Sequence, residues 1–191
     1  MTPGSAGNEV PDTQDAGVMA DKQRRWKVPS EGFVKANWDA AINLNLRMMG
    51  IGVIIWDERG EVLAAYCDQK KYVQQPATTE CMALWKAMEL GRDLGFNRVI
   101  FEGDAHTIVK AVNEESEDFL AYRSIVQDAK QMLQQHRNWK VQFVNRNLNE
   151  VAHILAKMAI SLETEKVWME DITSCISESI EKDKECMNNV D

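Results

Sequence analysis

A chain of 191 residues and 21.7 kDa, 45% hydrophobic and 27% charged with a net charge of −8, is sized for one globular domain with flexible ends. No run reaches the roughly 18 apolar residues of a membrane span, and Asp12, Asp15 and Asp21 stand where a secretory signal would be apolar. The sequence is therefore read as intracellular, nuclear or cytoplasmic, neither secreted nor membrane-bound, and as a monomer. Cys67, Cys81, Cys175 and Cys186 form no C-x-x-C pair and are read as reduced thiols.

The charge is uneven. Residues 161–191 hold nine acidic and three basic groups, whereas residues 26–160 hold seventeen and sixteen. The acidity thus belongs to an appendage, and the overall charge argues neither for nor against a nucleic-acid partner.

Residues 1–25 have few large apolar side chains and read as a disordered leader. From Phe33 the pattern alternates, with Val34, Ala36, Trp38 and Ala40 on one face and Lys35, Asn37 and Asp39 on the other, which predicts a strand. Gly50 to Trp56 predicts a second strand, Asp57-Glu58-Arg59-Gly60 a turn, and Val62 to Cys67 a third strand, together an antiparallel meander. Pro76, Thr78 and Thr79 announce a helix with Cys81, Leu84, Trp85 and Met88 at helical spacing, ending near Gly95. Residues 98–102 suit a buried parallel strand, Gly103-Asp104 opens a further helix, and another spans about 119–136. A strand at Lys140–Val144 and a last helix capped by Asn149 complete the order βββαβααβα, an α/β layered architecture over residues 26–160. In the acidic stretch 161–191, Trp168, Ile172, Cys175, Ile176 and Ile180 share one face of a possible helix. It either packs on its own domain or meets a protein partner.

Three acids stand out. A carboxylate on an interior strand is expensive unless paired or bound to a cation, which singles out Asp39. Glu80 falls in the first turn of its helix, with Ala83, Leu84 and Ala87 on its own face, so it is directed at the sheet. Asp104 alone reads as a helix cap. Together, strand, helix start and strand-to-helix turn can converge at one sheet edge, where three carboxylates repel unless divalent cations neutralise them.

N-W-D-A-A around Asp39, T-T-E-C-M-A-L around Glu80, F-E-G-D-A around Asp104 and N-E-V-A-H-I-L-A-K-M-A around His153 resemble the four motifs of type 1 ribonuclease H domains. The likeness is nearest to the plant group derived from reverse transcriptases of non-LTR retroelements. It runs over about residues 33–160, in order and with matching spacing. The resemblance implies a ribonuclease H-like fold with a five-stranded mixed sheet and helices on both faces. It implies endonucleolytic hydrolysis of the RNA strand of an RNA–DNA hybrid with two Mg²⁺ or Mn²⁺ ions, leaving a 3′-hydroxyl and a 5′-phosphate. Asp39, Glu80, Asp104 and His153 are by that resemblance the catalytic metal ligands, Asp39 bridging the ions. Catalytic members commonly carry Asp at the position of His153, and imidazole suits Mn²⁺ better than Mg²⁺.

A hybrid exposes 2′-hydroxyls in a wide minor groove. Asn43, Asn45 and Gln75, with backbone near Ala40–Ile42 and Gly50–Gly52, are the candidates to face it, and Arg47, Lys70, Lys71 and Arg146 are candidates for phosphate contacts. The competing reading is a catalytically weak or silent module of the same fold that binds nucleic acid or protein.

Overall fold

A computed structural model describes residues 26–71, 75–114, 121–169, 176–178 and 180–181. The proposed leader, Ile172 and Cys175 lie outside them. Three strands, β1 (Val34–Asn43), β2 (Met48–Trp56) and β3 (Val62–Lys71), form the expected meander. The turn before β3 is built as its residues dictate: Asp57 Oδ1 accepts from the backbone N–H of Arg59 and of Glu61, both at 2.8 Å, and Gly60 takes φ +78°.

Helix α1 (Pro76–Asp93) begins at a proline, whose missing N–H costs nothing in the first turn. It stops at Asp93, near Gly95 as expected; Gly95 takes the left-handed region at φ +74°, with Phe96 N–H donating to the Gly91 carbonyl. Because Pro76 takes the first position, Glu80 lies beyond the first turn. Then follow β4 (Val99–Gly103), α2 (His106–Asn113), α3 (Arg123–Gln135), β5 (Trp139–Phe143) and α4 (Glu150–Ala159). Strand β4 runs parallel to β1 and β5 parallel to β4.

A sixth strand, β6 (Lys166–Met169), pairs antiparallel with β3, so the sheet order is β5-β4-β1-β2-β3-β6. This corrects the five-strand expectation and removes Trp168 from the proposed tail helix. Trp168 stands opposite Ala65, and alternation along an extended segment delivers it to the core as readily as a helical stripe. Ile176 and Ile180 are buried in the same layer. Among the described residues no helix is long and apolar enough to cross a membrane.

The sheet is covered on both faces. Cys81, Leu84 and Met88 of α1, with the inner stripes of α2 and α3, pack on Ala36, Trp38, Ile51, Val53 and Phe101. On the other face α4 lies over Ile54, Trp56 and Cys67, with Trp26 and the two tail isoleucines. The helix approaches β2 so closely that a methyl group on Gly52 would meet the Ala152 carbonyl oxygen at 2.3 Å, and one on Gly50 the Ala156 carbonyl oxygen at 1.9 Å. Gly50 and Gly52 are therefore seats for α4 and do not face a nucleic-acid groove, which corrects that expectation. Gly52→Ala is expected to lower stability by ~1–3 kcal/mol or more in urea unfolding, because the obstructing atoms are helix backbone and cannot rotate away.

Candidate active site at the carboxyl ends of β1 and β4

Pairing between β1 and β4 stops at Asn37↔Glu102, while β1 continues to Asn43. The chain leaves β4 at Gly103 toward α2, opening a crevice beyond the strand ends, the place where open α/β sheets carry their ligands. Asp39 lies on β1 at this opening, and Asp104 is the first residue after β4. Glu80 reaches it from α1. Asp39 is only 4% exposed, and the electrostatics register the crowding. Burial first, then Asp104, pushes the Asp39 carboxyl up to about 6, against the opposing pull of His153 and the Ala40 backbone N–H. Burial again, then Asp39 and Asp104, pushes Glu80 up to about 9, opposed by Arg146 and the same Ala40 N–H.

Asp104 is not a cap. The residue preceding α2 is Ala105, and no side chain caps that helix. Asn149 precedes α4 but its side chain does not cap it either. It turns into the sheet, because buried amide atoms there have better partners. Asn149 Nδ2 donates to the Trp38 carbonyl at 2.9 Å and lies 3.4 Å from Asp104 Oδ1, while its Oδ1 accepts from Asn37 Nδ2 at 3.2 Å. Asn37 Oδ1 in turn accepts from Trp56 Nε1 at 3.1 Å. A buried hydrogen-bond chain thus runs from the core beneath α4 to the carboxylate of Asp104.

His153, on α4, sets Nδ1 2.6 Å from Asp39 Oδ2, and its Nε2 is 3.2 Å from Arg146 Nη2. Arg146 and His153 line an open cleft of about 590 Å³ with Asn145, Asn147 and Glu150. Among the described residues, no group of three or more His, Cys, Asp or Glu side chains as they stand encloses a metal position. The donor chemistry of the three acids nevertheless fits a hard divalent cation. They converge closely enough that Asp104 raises Asp39, and Asp39 and Asp104 raise Glu80, and Glu80 Oε2 is buried with no hydrogen-bond partner. His153 differs from them, since its ring is already engaged with Asp39.

The nucleic-acid candidates do not gather in one place. Met48 pairs with both Asn43 and Lys71, so Asn43, Asn45, Arg47 and Lys71 gather where the β1–β2 hairpin meets the end of β3. Asn45, Arg47 and Lys71 are exposed there, and Asn43 Oδ1 accepts from Leu46 N–H within the turn. Lys70 is paired with Asp68 at 2.6 Å, and its side chain lies on the α1 face of β3, away from Lys71. Gln75 is exposed at the start of α1, and Arg146 stands by itself at the cleft.

The sequence matches the reverse transcriptase-like family over residues 37–159. This chain belongs to that family. Among curated proteins none matches it in sequence. Among solved structures it is similar to the RNase H1 of the halophilic archaeon Halobacterium salinarum NRC-1, at 26% identity and TM-score 0.61, over 66% of this chain and 96% of that one. It has the fold of LC11-RNase H1, solved in complex with an RNA/DNA hybrid, at 20% identity and TM-score 0.59, over 66% of this chain and 96% of that one. It also has a fold in common with the foamy viral protease-reverse transcriptase in complex with RNA/DNA hybrid, at 13% identity and TM-score 0.56, covering 84% of this chain and 22% of that one. The ribonuclease H-like fold inferred from the four motifs is borne out, and family membership rests on more than the fold.

Sequence reasoning missed Asn37 and Asn149 as parts of the site. The available signal was Asn37 itself: an amide on an interior strand, two residues from Asp39 on the same face, must find a buried partner.

The raised pKa values set a pH dependence. Each acid holds its proton more tightly folded than unfolded, so its stabilising contribution is complete at the acid side and is lost as pH rises toward about 6 for Asp39 and about 9 for Glu80. Without divalent ions, stability in urea is expected to fall with rising pH across that window, and Glu80→Gln is expected to flatten the profile. An unchanged slope in the variant would remove Glu80 from the buried cluster.

Proposed function

We propose that this chain is a metal-dependent endonuclease that hydrolyses the RNA strand of RNA–DNA hybrids. The convergence of Asp39, Glu80 and Asp104 at the open end of β1 and β4 carries this reading. Burial has raised two of these acids, and one buried oxygen is unpartnered. Carboxylates so placed are the ligand set for Mg²⁺ or Mn²⁺. A divalent cation bound there supplies charge stabilisation to the oxygens of an in-line displacement at phosphorus.

The chain's own residues do the rest. Asp104 is oriented by Asn149, and Asn149 by Asn37 and the Trp38 carbonyl. Arg47 and Lys71 beside the hairpin, and Arg146 at the cleft, offer cations to phosphates, while Asn43, Asn45 and Gln75 offer amides to 2′-hydroxyls. With Lys70 neutralised by Asp68, the cationic footprint is small and binding is correspondingly weak. Two neighbours of the same fold were solved with RNA/DNA hybrid bound, which supports the choice of substrate.

One observation favours the second reading, a silent binding module: the His153 ring sits on Asp39 Oδ2 at 2.6 Å. The two readings separate when a labelled hybrid is incubated with Mg²⁺ or with Mn²⁺ beside Asp39→Asn. Cleavage that the substitution lowers by ~100-fold or more supports the nuclease. No cleavage with either ion supports the module. For the nuclease, Mn²⁺ is expected to outperform Mg²⁺, and His153→Asp to raise the Mg²⁺ rate on the order of tenfold. Equal Mg²⁺ rates for the two proteins would count against a limiting role for His153.

A further inference from the structure

We infer that Arg146 holds His153 as a hydrogen-bond donor to Asp39, so that the fourth position of this site is a positioning group and not a metal ligand. The inference rests on Asp39 being a metal ligand, as proposed above, but its geometry stands independently of cleavage. An arginine side chain has five N–H donors and no acceptor. Its Nη2 lies 3.2 Å from His153 Nε2, so Nε2 presents its lone pair. A neutral imidazole with a lone pair at Nε2 carries its proton on Nδ1, and Nδ1 is 2.6 Å from Asp39 Oδ2, a carboxylate oxygen that accepts it. One tautomer satisfies both contacts. The other would set N–H against N–H at Arg146 and lone pair against lone pair at Asp39.

A ligating imidazole needs an uncommitted lone pair. Nδ1 has none in this tautomer, and the lone pair of Nε2 points at a guanidinium, whose charge repels a second cation. Both ring nitrogens are therefore taken, and metal binding falls to Asp39, Glu80 and Asp104 alone. The chain is thus a one-ion member of a two-ion architecture, with Arg146 as the residue that sets the difference.

The full-length, ¹⁵N-labelled protein, free of metal, reports the ring directly in long-range ¹H–¹⁵N spectra. His153 is expected to carry its proton on Nδ1, and Arg146→Met to shift the population toward Nε2–H. Calorimetric titration with Mg²⁺ is expected to give one ion per chain for the wild type and a second for His153→Asp. A wild-type ring protonated on Nε2, or two ions on the wild type, would each overturn the inference. The wild-type spectrum decides without any variant having to fold. Because neither readout uses substrate, failure of hybrid cleavage with the Nδ1–H ring intact would reject the nuclease and leave the role of Arg146 standing.

Discussion

Three carboxylates drawn to one crevice repel one another, and burial makes Asp39 and Glu80 resist ionisation there. That repulsion is the constraint around which the chain is arranged. The sheet supplies the place: β1 outruns β4, so the carboxyl ends of two adjacent parallel strands open onto a gap instead of onto a third strand. The response of the surrounding groups is graded. The Ala40 N–H favours the ionised forms of Asp39 and Glu80, and Arg146 adds a more distant positive charge toward Glu80. None of this cancels the burial of Asp39 and Glu80, and acids in that condition have the donor chemistry that suits a small, hard cation.

The two hydrophobic layers reach the site by different routes. The layer under α1 delivers Glu80 directly, since the helix face that packs on Trp38 and Ala36 also carries the acid toward the strand ends. The layer under α4 acts through hydrogen bonds, from Trp56 through Asn37 and Asn149 to Asp104. A buried network of this kind is favourable only while every member has its partner. It therefore ties the orientation of a site carboxylate to the packing of an indole on the far side of β1.

The elements with strong local signals were legible in the sequence: the Asp57–Gly60 turn, the proline-started helix that stops near Gly95, and the alternating run around Asp39. Glu80 was legible as a sheet-facing acid from its spacing to Ala83, Leu84 and Ala87. What sequence reasoning missed has a common physical cause. Asn149 and Asp104 both sit at helix starts, where capping is the usual local bond, and both are diverted by tertiary partners that sequence proximity cannot reveal. Trp168 was assigned to a helix because a short apolar-polar run fits either period, and only the free edge of β3 decides for the strand. The ring of His153 was read as a metal ligand from its chemistry, and its contacts with Asp39 and Arg146 are tertiary ones that the sequence does not display.

The seating of α4 on Gly50 and Gly52 has an evolutionary corollary. The histidine that addresses Asp39 and the asparagine that steadies Asp104 both ride on or beside that helix, so their reach is calibrated by two side chains that do not exist. Drift at either glycine would surface as an apparent lesion at the acids although neither glycine is one of them, and a lineage could detune this centre without altering a single acid in it.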